Sequence, residues 1–350
     1  MPGWPEPKVA ELPLPNFDNS GYMKIFVTRK IPGDHLEKLK KEGFEVAISE
    51  FNRVITTEGL LEGIKGVDAI LSLLTDKIDG DVMDAAGPQL KLISNYAVGF
   101  DNIDIEAATK RGIIVCNTPS DEVNEAVAEH TWALILALAR RIVEADEATR
   151  RGAYRGWEPD IFLGTNLIGK TLGVVGLGRI GSMVARRAQG YKMNVLYTKN
   201  SPDPDAEREL GVKFASLDEL LANSDFVSLH VPLTAETRHM MDKDTFAKMK
   251  KGSYLINTAR GQVVDERALV DALASAQIAG AALDVFDNEP NISPEIIADQ
   301  KVITTPHIAS ATREARDKMG EQAVAAIIDT LKGVKPQNIV DEKVWDIRRK

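Results

Sequence analysis

The stretch Thr171-Leu172-Gly173-Val174-Val175-Gly176-Leu177-Gly178-Arg179-Ile180-Gly181 decides the fold class of this chain. It begins as a short apolar strand, runs into Gly-x-Gly-x-x-Gly, and is followed by a helical pattern from Ser182 to Gln189. A strand, a glycine turn and a helix in this order are typical of a dinucleotide-binding fold. Gly176 permits the tight turn, Gly178 lets the backbone approach a pyrophosphate, and Gly181 lets the helix pack close to the strand.

The residues after the next predicted strand bear on which dinucleotide binds. The fingerprint expects an acidic side chain about 20 residues further on, where it bonds the ribose 2′-hydroxyl of NAD. Here the strand Asn194 to Thr198 is followed by Lys199, Asn200 and Ser201, and the first acid is Asp203. A lysine with neighbouring amide and hydroxyl groups accepts a 2′-phosphate, which an acid would repel. We therefore expect a preference for NADP(H), with NAD(H) as the alternative if Lys199 merely points to solvent.

Composition excludes several classes of protein. At 350 residues the chain is long enough for two domains, and its 44% apolar and 27% charged residues are typical of a globular protein. The formal charge of -9 argues against nucleic-acid or anionic-membrane partners, because both need a basic face. The single Cys116 lies in an apolar run and is expected to be a buried strand residue.

No targeting or membrane-spanning segment is predicted. Residues 1–22 are rich in proline and contain no apolar signal segment, so they are expected to be an N-terminal extension. The longest apolar stretch, residues 126–139, is interrupted by Glu129 and His130 and is too short to cross a bilayer. A cytoplasmic protein is expected, and no metal site is predicted.

Apolar runs alternate with helical patterns along the rest of the chain, as parallel sheets require. The predicted helices are His35–Lys41, Gly80–Ala86, residues 103–111, one long helix over residues 122–151, and Arg313–Leu331. Besides the strand before the glycine turn, the predicted strands are residues 24–28, 44–48, 69–74, 90–95, 113–117, 194–198, 226–231, 254–258, 280–285 and 302–305. The fold class is therefore α/β, with two Rossmann-like or flavodoxin-like domains.

Three polar side chains follow predicted strands in the second half of the chain, where ligands of such sheets bind. Arg260, Glu289 and His307 together are what reduction of a 2-keto acid requires. His307 can give the keto oxygen its proton, Glu289 would orient the ring and favour its protonated form, and Arg260 can grip the substrate carboxylate and keto oxygen. Taken singly, each has a structural alternative: a surface ion pair for Arg260, a turn before Pro290 for Glu289, and a backbone cap for His307.

The chain from Met23 to about Ile339 resembles the D-isomer-specific 2-hydroxyacid dehydrogenases, and within them the glyoxylate/hydroxypyruvate reductase branch. Besides the glycine turn with the preceding Gly169-Lys170, five stretches carry the resemblance: Asn95-Tyr96-Ala97-Val98-Gly99-Phe100-Asp101-Asn102-Ile103-Asp104, Val231-Pro232-Leu233-Thr234, Asn257-Thr258-Ala259-Arg260-Gly261, Leu283-Asp284-Val285-Phe286-Asp287-Asn288-Glu289-Pro290, and Thr305-Pro306-His307-Ile308-Ala309-Ser310-Ala311-Thr312.

The resemblance implies roles for particular residues. It makes Arg260, Glu289 and His307 the catalytic set, and it implies that backbone N–H groups around Val98 and Gly99 hold the substrate carboxylate. Leu74 and Trp157 are implied as pocket lining, although either could be a core residue. Cofactor contacts are implied for Asp284, which would bond the nicotinamide carboxamide, and for Gly176, Leu177, Gly178, Arg179, Ile180, Gly181, Lys199, Asn200, Ser201, Val231, Pro232, Thr258 and Ala259.

The family fold implies that the dinucleotide-binding domain is inserted in the substrate domain. The expected substrate domain is residues 23–118 with 313–350, and the expected cofactor domain is residues 119–312. Closure of the two domains would exclude water from the bound substrate. The resemblance also implies a homodimer built largely through the cofactor domain, consistent with a broad apolar arc on the predicted helix over residues 122–151.

The function predicted from these observations is reduction of glyoxylate or hydroxypyruvate by NAD(P)H to the 2-hydroxy acid. Within the same chemistry the alternatives are a D-lactate-type or a phosphoglycerate dehydrogenase. From another class, the alternative is a dinucleotide-sensing protein similar to the C-terminal binding protein corepressors. The absence of a long low-complexity tail argues against that last hypothesis.

Overall fold

The computed structural model describes residues 21–49 and 54–350, so residues 1–20 of the expected N-terminal extension lie outside the described part. The chain divides into two compact units. One unit combines the described residues up to Val123 with Arg313–Lys350, and the other is Asn124–Thr312. The chain therefore leaves the first unit, forms the second, and returns to the first.

The first unit is built on a five-stranded parallel sheet in the order β2-β1-β3-β4-β5, the flavodoxin-like order. Its strands are β1 (Lys24–Val27), β2 (Glu45–Ile48), β3 (Ala69–Leu73), β4 (Leu92–Tyr96) and β5 (Ile114–Cys116). Its helices are α1 (His35–Lys41), α2 (Thr57–Gly63), α3 (Gly80–Ala86) and α4 (Ile105–Lys110), and from the C-terminal segment α13 (Arg313–Leu331) and α14 (Val344–Ile347). Cys116 is buried in β5, and burial raises the pKa of its thiol to about 12, as an inert core residue requires.

The second unit contains a seven-stranded parallel sheet in the order β12-β11-β10-β9-β6-β7-β8. Its strands are β6 (Thr171–Val175), β7 (Asn194–Thr198), β8 (Lys213–Phe214), β9 (Phe226–Leu229), β10 (Ser253–Asn257), β11 (Ile278–Leu283) and β12 (Val302–Thr304). Its helices are α6 (Ile142–Arg150), α7 (Arg179–Ala188), α8 (Pro204–Leu210), α9 (Leu217–Asn223), α10 (Lys243–Lys248), α11 (Glu266–Ala274) and α12 (Pro294–Ala298), with α5 (Asp121–Ala139) entering from the first unit. The strand order reverses between β6 and β9, which is the switch point where a doubly wound sheet binds its ligand.

Alternate residues of the second sheet belong to two separate cores. Val174 packs in one core with α5, α7 and α8, whereas Val175 packs in the other with helices α9 to α12. A strand that is apolar on both faces in this way needs helices on both sides of the sheet. These observations confirm the predicted α/β class with two parallel sheets.

The prediction of one helix over residues 122–151 is wrong, because the chain breaks between α5 and α6. Arg141 adopts a left-handed conformation with φ 53°. The N–H of Thr165 donates to the carbonyl of Ala139 at 2.7 Å, and a Cβ on Gly164 would lie 2.4 Å from that same oxygen. A hydrogen bond from a later loop therefore satisfies a carbonyl group at the end of α5. Because Arg140 and Arg141 are neither glycine nor proline, the sequence carries no local signal of this break.

Other predicted elements differ from the structure mainly at their ends. The predicted limits of α1, α3, β7 and α13 are those observed. The edge strand β8 was not predicted, because two residues are too few to show an alternating pattern. No helix in the described residues is long and apolar enough to cross a membrane.

Candidate active site

The glycine turn joins β6 to α7 at the switch point. Gly176 has φ 97°, which glycine adopts at little cost, and a Cβ on it would lie 2.9 Å from the carbonyl group of His230. A Cβ on Gly181 would lie 2.1 Å from the carbonyl oxygen of Gly176. Both positions therefore exclude any side chain, because the backbone itself occupies the space.

Gly178 differs from the other two glycines, since a Cβ on it would meet nothing within 4 Å. It is the N-cap of α7, whose first N–H groups and positive dipole end favour an anion. An open approach to a helix N-terminus beside the switch point fits a dinucleotide pyrophosphate. The residues Leu177, Arg179 and Ile180 complete the turn around this position.

Lys199 follows β7 and forms an ion pair with Asp203, its ammonium nitrogen lying 3.0 Å from a carboxylate oxygen. Asp203 also caps α8 by accepting a hydrogen bond from the N–H of Ala206. That N–H and the Lys199 ammonium hold the pKa of Asp203 below its usual value. Asn200 and Ser201 are exposed in the same loop. The Lys199 ammonium, which is predicted to bind a 2′-phosphate, thus already has the Asp203 carboxylate as its partner.

The segment after β9 lies against the glycine turn. Val231 has a methyl group 3.0 Å from the position of a Cβ on Gly176, and the carbonyl of Pro232 accepts a hydrogen bond from the Thr237 hydroxyl at 2.6 Å. The ring of His230 is 2.9 Å from the Ser228 hydroxyl, and burial lowers the pKa of this histidine to about 4. His230 is therefore neutral at pH 7.

Arg260 follows β10 in a turn that Asn257 organises. The fully buried Asn257 side chain accepts from the N–H of Ala259 at 3.0 Å and donates to the carbonyl of Arg260 at 2.8 Å. A Cβ on Gly261 would lie 1.9 Å from the carbonyl carbon of Phe286, so the two loops are in backbone contact. The Gln262 amide strengthens this contact by donating to the carbonyl of Asp287 at 2.6 Å.

Glu289 and His307 are hydrogen bonded to each other. Nδ1 of His307 lies 2.9 Å from one carboxylate oxygen of Glu289, and the other oxygen accepts from the N–H of Phe286 at 2.9 Å. Since an ionised carboxylate only accepts hydrogen bonds, Nδ1 carries a hydrogen and Nε2 is left to hold or transfer a proton. Both side chains are about one quarter exposed, each at 26%. The loops that carry Arg260, Glu289 and His307 follow neighbouring strands β10, β11 and β12.

Asp284 is fully buried, directly after β11, and shapes the loop that carries His307. Its carboxylate accepts from the Thr305 hydroxyl at 2.6 Å and from the N–H groups of Ile308 and Ala309 at 2.9 and 2.8 Å. Burial raises the pKa of Asp284, but hydrogen bonds from His130, Thr305 and these N–H groups outweigh it, so the pKa is lowered overall. His307 adopts φ 53° within this loop.

Three other residues predicted to bind the substrate belong to the first unit. Leu74 follows β3, Val98 and Gly99 follow β4, and all three are half-buried. The carbonyls of Val98 and Gly99 accept from the side-chain amides of Asn117 and Asn95. Their roles in substrate binding stay predictions. Trp157 is 83% exposed in this chain, so it is not a core residue.

Two polar residues of α5 reach this edge of the sheet without having been predicted. His130 Nε2 lies 3.2 Å from the Thr305 hydroxyl, and the Thr131 hydroxyl lies 2.9 Å from that of Thr258. In the sequence they look like polar interruptions of an apolar helix, and no motif distinguishes them. Within residues 21–49 and 54–350, no three metal-binding side chains are grouped closely enough to hold a metal ion.

Comparison with known proteins places this geometry in a family. Residues 132–309 match the D-isomer-specific 2-hydroxyacid dehydrogenase NAD-binding domain. The chain is 47% identical to the glyoxylate reductase of Thermococcus kodakarensis over 330 residues, covering 93% of this chain and 98% of that one. This chain belongs to the D-isomer-specific 2-hydroxyacid dehydrogenases.

Solved structures resemble this dehydrogenase over nearly its full length. A protein from Thermus thermophilus is 42% identical with a TM-score of 0.85, covering 91% of this chain and 100% of that one. An NADPH-dependent glyoxylate/hydroxypyruvate reductase from Sinorhizobium meliloti, solved with NADP and malonate, is 33% identical with a TM-score of 0.80, covering 94% and 99%. The chain is thus an NAD(P)-dependent oxidoreductase that acts on 2-keto and 2-hydroxy acids.

The dehydrogenase should lose cofactor affinity, but not stability, when Gly178 gains a methyl group. In Gly178→Ala the new Cβ enters the open space before α7 and holds the pyrophosphate away from the N–H groups. We expect the dissociation constant for the reduced cofactor to rise about tenfold or more, which corresponds to about 1.4 kcal/mol. Titration of cofactor fluorescence measures this change.

Gly190→Ala is the matched control, since its Cβ also meets nothing within 4 Å but lies after the C-terminal end of α7. Both variants should keep the thermal midpoint of the unsubstituted protein. An unchanged dissociation constant in Gly178→Ala would show that the pyrophosphate does not approach this glycine.

Proposed function

We propose that this dehydrogenase reduces glyoxylate or hydroxypyruvate with NADPH, and that Arg260, Glu289 and His307 carry the reaction. The hydrogen-bonded pair of Glu289 and His307, at 2.9 Å in the cofactor-binding unit, is the observation on which the proposal depends. The substrate class is supported by the relatives in Thermococcus and Sinorhizobium, whose names specify glyoxylate or hydroxypyruvate.

His307 is the proposed proton donor. A reduced nicotinamide, when bound, supplies a hydride to the carbonyl carbon of the keto acid. The carbonyl oxygen must then gain a proton, and Nε2 of His307 is the ring atom left to give it, because Nδ1 is bonded to Glu289. Glu289 fixes the orientation of the ring and stabilises its protonated form. The hydride and the proton together convert the carbonyl group to the hydroxyl group of the 2-hydroxy acid.

Arg260 is the proposed anchor of the substrate carboxylate and keto oxygen. Its planar guanidinium can donate two parallel hydrogen bonds, which orient a 2-keto acid more strictly than a lysine would. The Asn257 side chain and the contact of Gly261 with Phe286 hold the backbone of this turn. Substrate orientation therefore depends on a turn that the core of the sheet keeps in place.

Substitutions in the Glu289 and His307 pair should separate proton donation from ring orientation. His307→Ala should lower kcat about 10²- to 10⁴-fold, because no side chain then protonates the keto oxygen. In Glu289→Gln the amide oxygen can still accept from Nδ1 of His307, so the ring keeps part of its orientation and kcat should fall less than in His307→Ala. Steady-state rates of keto-acid reduction at saturating cofactor measure both effects. A His307→Ala enzyme with an unchanged rate would contradict the proposed role.

Three alternatives predict different results in the same assay. A D-lactate-type enzyme would prefer pyruvate, and a phosphoglycerate dehydrogenase would prefer a phosphorylated keto acid. A dinucleotide-sensing binding protein would bind cofactor without oxidising it in the presence of any small keto acid. We expect glyoxylate or hydroxypyruvate to give the highest kcat/KM in a panel containing all of these substrates.

NADPH is the proposed cofactor because the loop after β7 presents Lys199, Asn200 and Ser201 where NAD enzymes carry an acid. The relative from Sinorhizobium meliloti is described as NADPH-dependent. In this chain the ion pair between Lys199 and Asp203 opposes the preference, since a 2′-phosphate must compete with the carboxylate. The proposal is that the phosphate, with its greater charge, wins that competition.

Substitutions of Lys199 and Asp203 should therefore change the KM for NADPH in opposite directions. Lys199→Ala removes the cation and should raise this KM about tenfold, with little change for NADH. Asp203→Asn removes the competing charge and should lower it, while asparagine still caps α8. Initial rates with both cofactors measure the effect. A clear preference of the unsubstituted enzyme for NADH would contradict the proposal.

A homodimer is proposed on an exposed apolar surface of the second unit. The apolar face of α5, on which the prediction from the sequence relied, is buried within the chain itself, where Trp132, Ile135 and Leu138 pack in one core of the sheet. Seven exposed large apolar side chains belong instead to α6 and the loop that follows it: Ile142, Val143, Tyr154, Trp157, Ile161, Leu163 and Ile168. A concentration of large apolar side chains in one exposed segment is typical of a protein interface.

Leu163→Asp should weaken the dimer by placing a charge in this surface. Leu163 is 66% exposed, and Ile297 on α12 is 63% exposed outside this segment, so Ile297→Asp is a matched control. Sedimentation velocity at micromolar concentration should show a dimer for the unsubstituted protein and for Ile297→Asp, and monomer for Leu163→Asp. A monomeric unsubstituted protein would contradict the proposed dimer.

A further inference from the structure

Helix α5 contributes two adjacent polar side chains to the edge of the sheet where the proposed catalytic loops begin. Thr131 is fully buried, and the side chain of His130 is 18% exposed. Thr131 contacts Thr258 after β10, and His130 contacts Thr305 after β12. One rigid helix thus touches the two loops that carry Arg260 and His307.

The direction of the bond between Thr131 and Thr258 follows from the number of protons available. A threonine hydroxyl has one hydrogen to donate. That of Thr131 is donated to the carbonyl of Val127, at 2.8 Å, so in the 2.9 Å contact the Thr258 hydroxyl is the donor. The side chain of Thr258, two residues before Arg260, is therefore held in place by Thr131.

The same reasoning fixes the tautomer of His130. The hydroxyl hydrogen of Thr305 is donated to the Asp284 carboxylate at 2.6 Å. The contact of 3.2 Å between His130 Nε2 and the Thr305 oxygen then requires a hydrogen on Nε2, which also points towards the carboxylate at 3.5 Å. His130 is thus one end of a directed chain of donors that ends on Asp284.

Asp284 also bonds the backbone of the two residues that follow His307. It accepts the N–H groups of Ile308 and Ala309, while the N–H of His307 donates to the carbonyl of Asp284 at 2.9 Å. His307 adopts φ 53°, a conformation that a non-glycine residue keeps only where its surroundings enforce it. The hydrogen bonds that connect His130, Thr305 and Asp284 help to hold His307 in this conformation.

We propose that His130 and Thr131 are positioning residues, which set the loops of His307 and Arg260 from a single helix. This inference rests on the proposed roles of His307 and Arg260. In this proposal neither α5 residue touches the substrate. His130 acts through the ends of β11 and β12, so it should affect proton donation. Thr131 acts through the end of β10, so it should affect the grip on the substrate carboxylate.

The test is a set of double-mutant cycles on the full chain. His130→Leu should lower kcat about 10- to 100-fold, because misplacing a catalytic group by about 1 Å has effects of this size. His130→Gln, which keeps a donor near Nε2, should recover most of the rate. In a His307→Ala background, His130→Leu should change kcat less than about twofold, since residues that act as a unit are not additive.

Thr131 gives an independent arm of the same test. Thr131→Val should raise the KM for the keto acid about tenfold, whereas Thr131→Ser keeps the hydroxyl and should not. This effect should persist with His307→Ala and vanish with Arg260→Ala. Thermal unfolding and cofactor titration of each variant establish that the protein is folded and binds the dinucleotide.

The outcomes separate this inference from the proposed function. A folded His130→Leu enzyme with an unchanged kcat would overturn the positioning role, as would a loss that multiplies fully with that of His307→Ala. A merely structural role would lower the unfolding temperature of both variants without the rescue by glutamine. An unchanged rate in His307→Ala alone would overturn the proposed role of His307, and with it the inference about His130.

Discussion

A carboxylate with no exposed surface, that of Asp284, must find its hydrogen-bond donors inside the protein, because solvent cannot supply them. The chain meets this requirement by folding the residues after β12 around the end of β11, so that a hydroxyl and two N–H groups converge on one side chain. His307 lies in the middle of that wrapped segment. Burying one charge therefore determines where the ring that is proposed to transfer a proton can be.

Much of the fold could be predicted because its signals are local. Helices α1 and α3 and the long C-terminal helix α13 have the predicted limits, since an apolar stripe and a closing glycine or loop define them within a few residues. The break between α5 and α6 could not be predicted. The hydrogen bond that satisfies the end of α5 comes from Thr165, which lies far along the chain from Ala139.

The candidate site shows the same division. That Arg260, Glu289 and His307 follow neighbouring strands could be predicted from the order of apolar runs. The atoms that form the hydrogen bonds could not be predicted. One oxygen of Glu289 accepts from the N–H of Phe286, for example, and that contact depends on the conformation of a single turn. His130 and Thr131 give no functional signal in the sequence, because in a helix that is apolar on most of its circumference a buried polar residue looks like an irregularity.

If a 2′-phosphate binds at Lys199 as proposed, the ion pair with Asp203 makes its recognition an exchange of anions. What the enzyme gains from a 2′-phosphate is the difference between two ion pairs at Lys199, and not the worth of one. The displaced carboxylate would still have a hydrogen-bond donor, because Asp203 keeps its bond from the N–H of Ala206 at the start of α8. On that proposal, evolution or design can tune cofactor selectivity at Asp203, by changing how strongly its side chain competes with the nucleotide for Lys199.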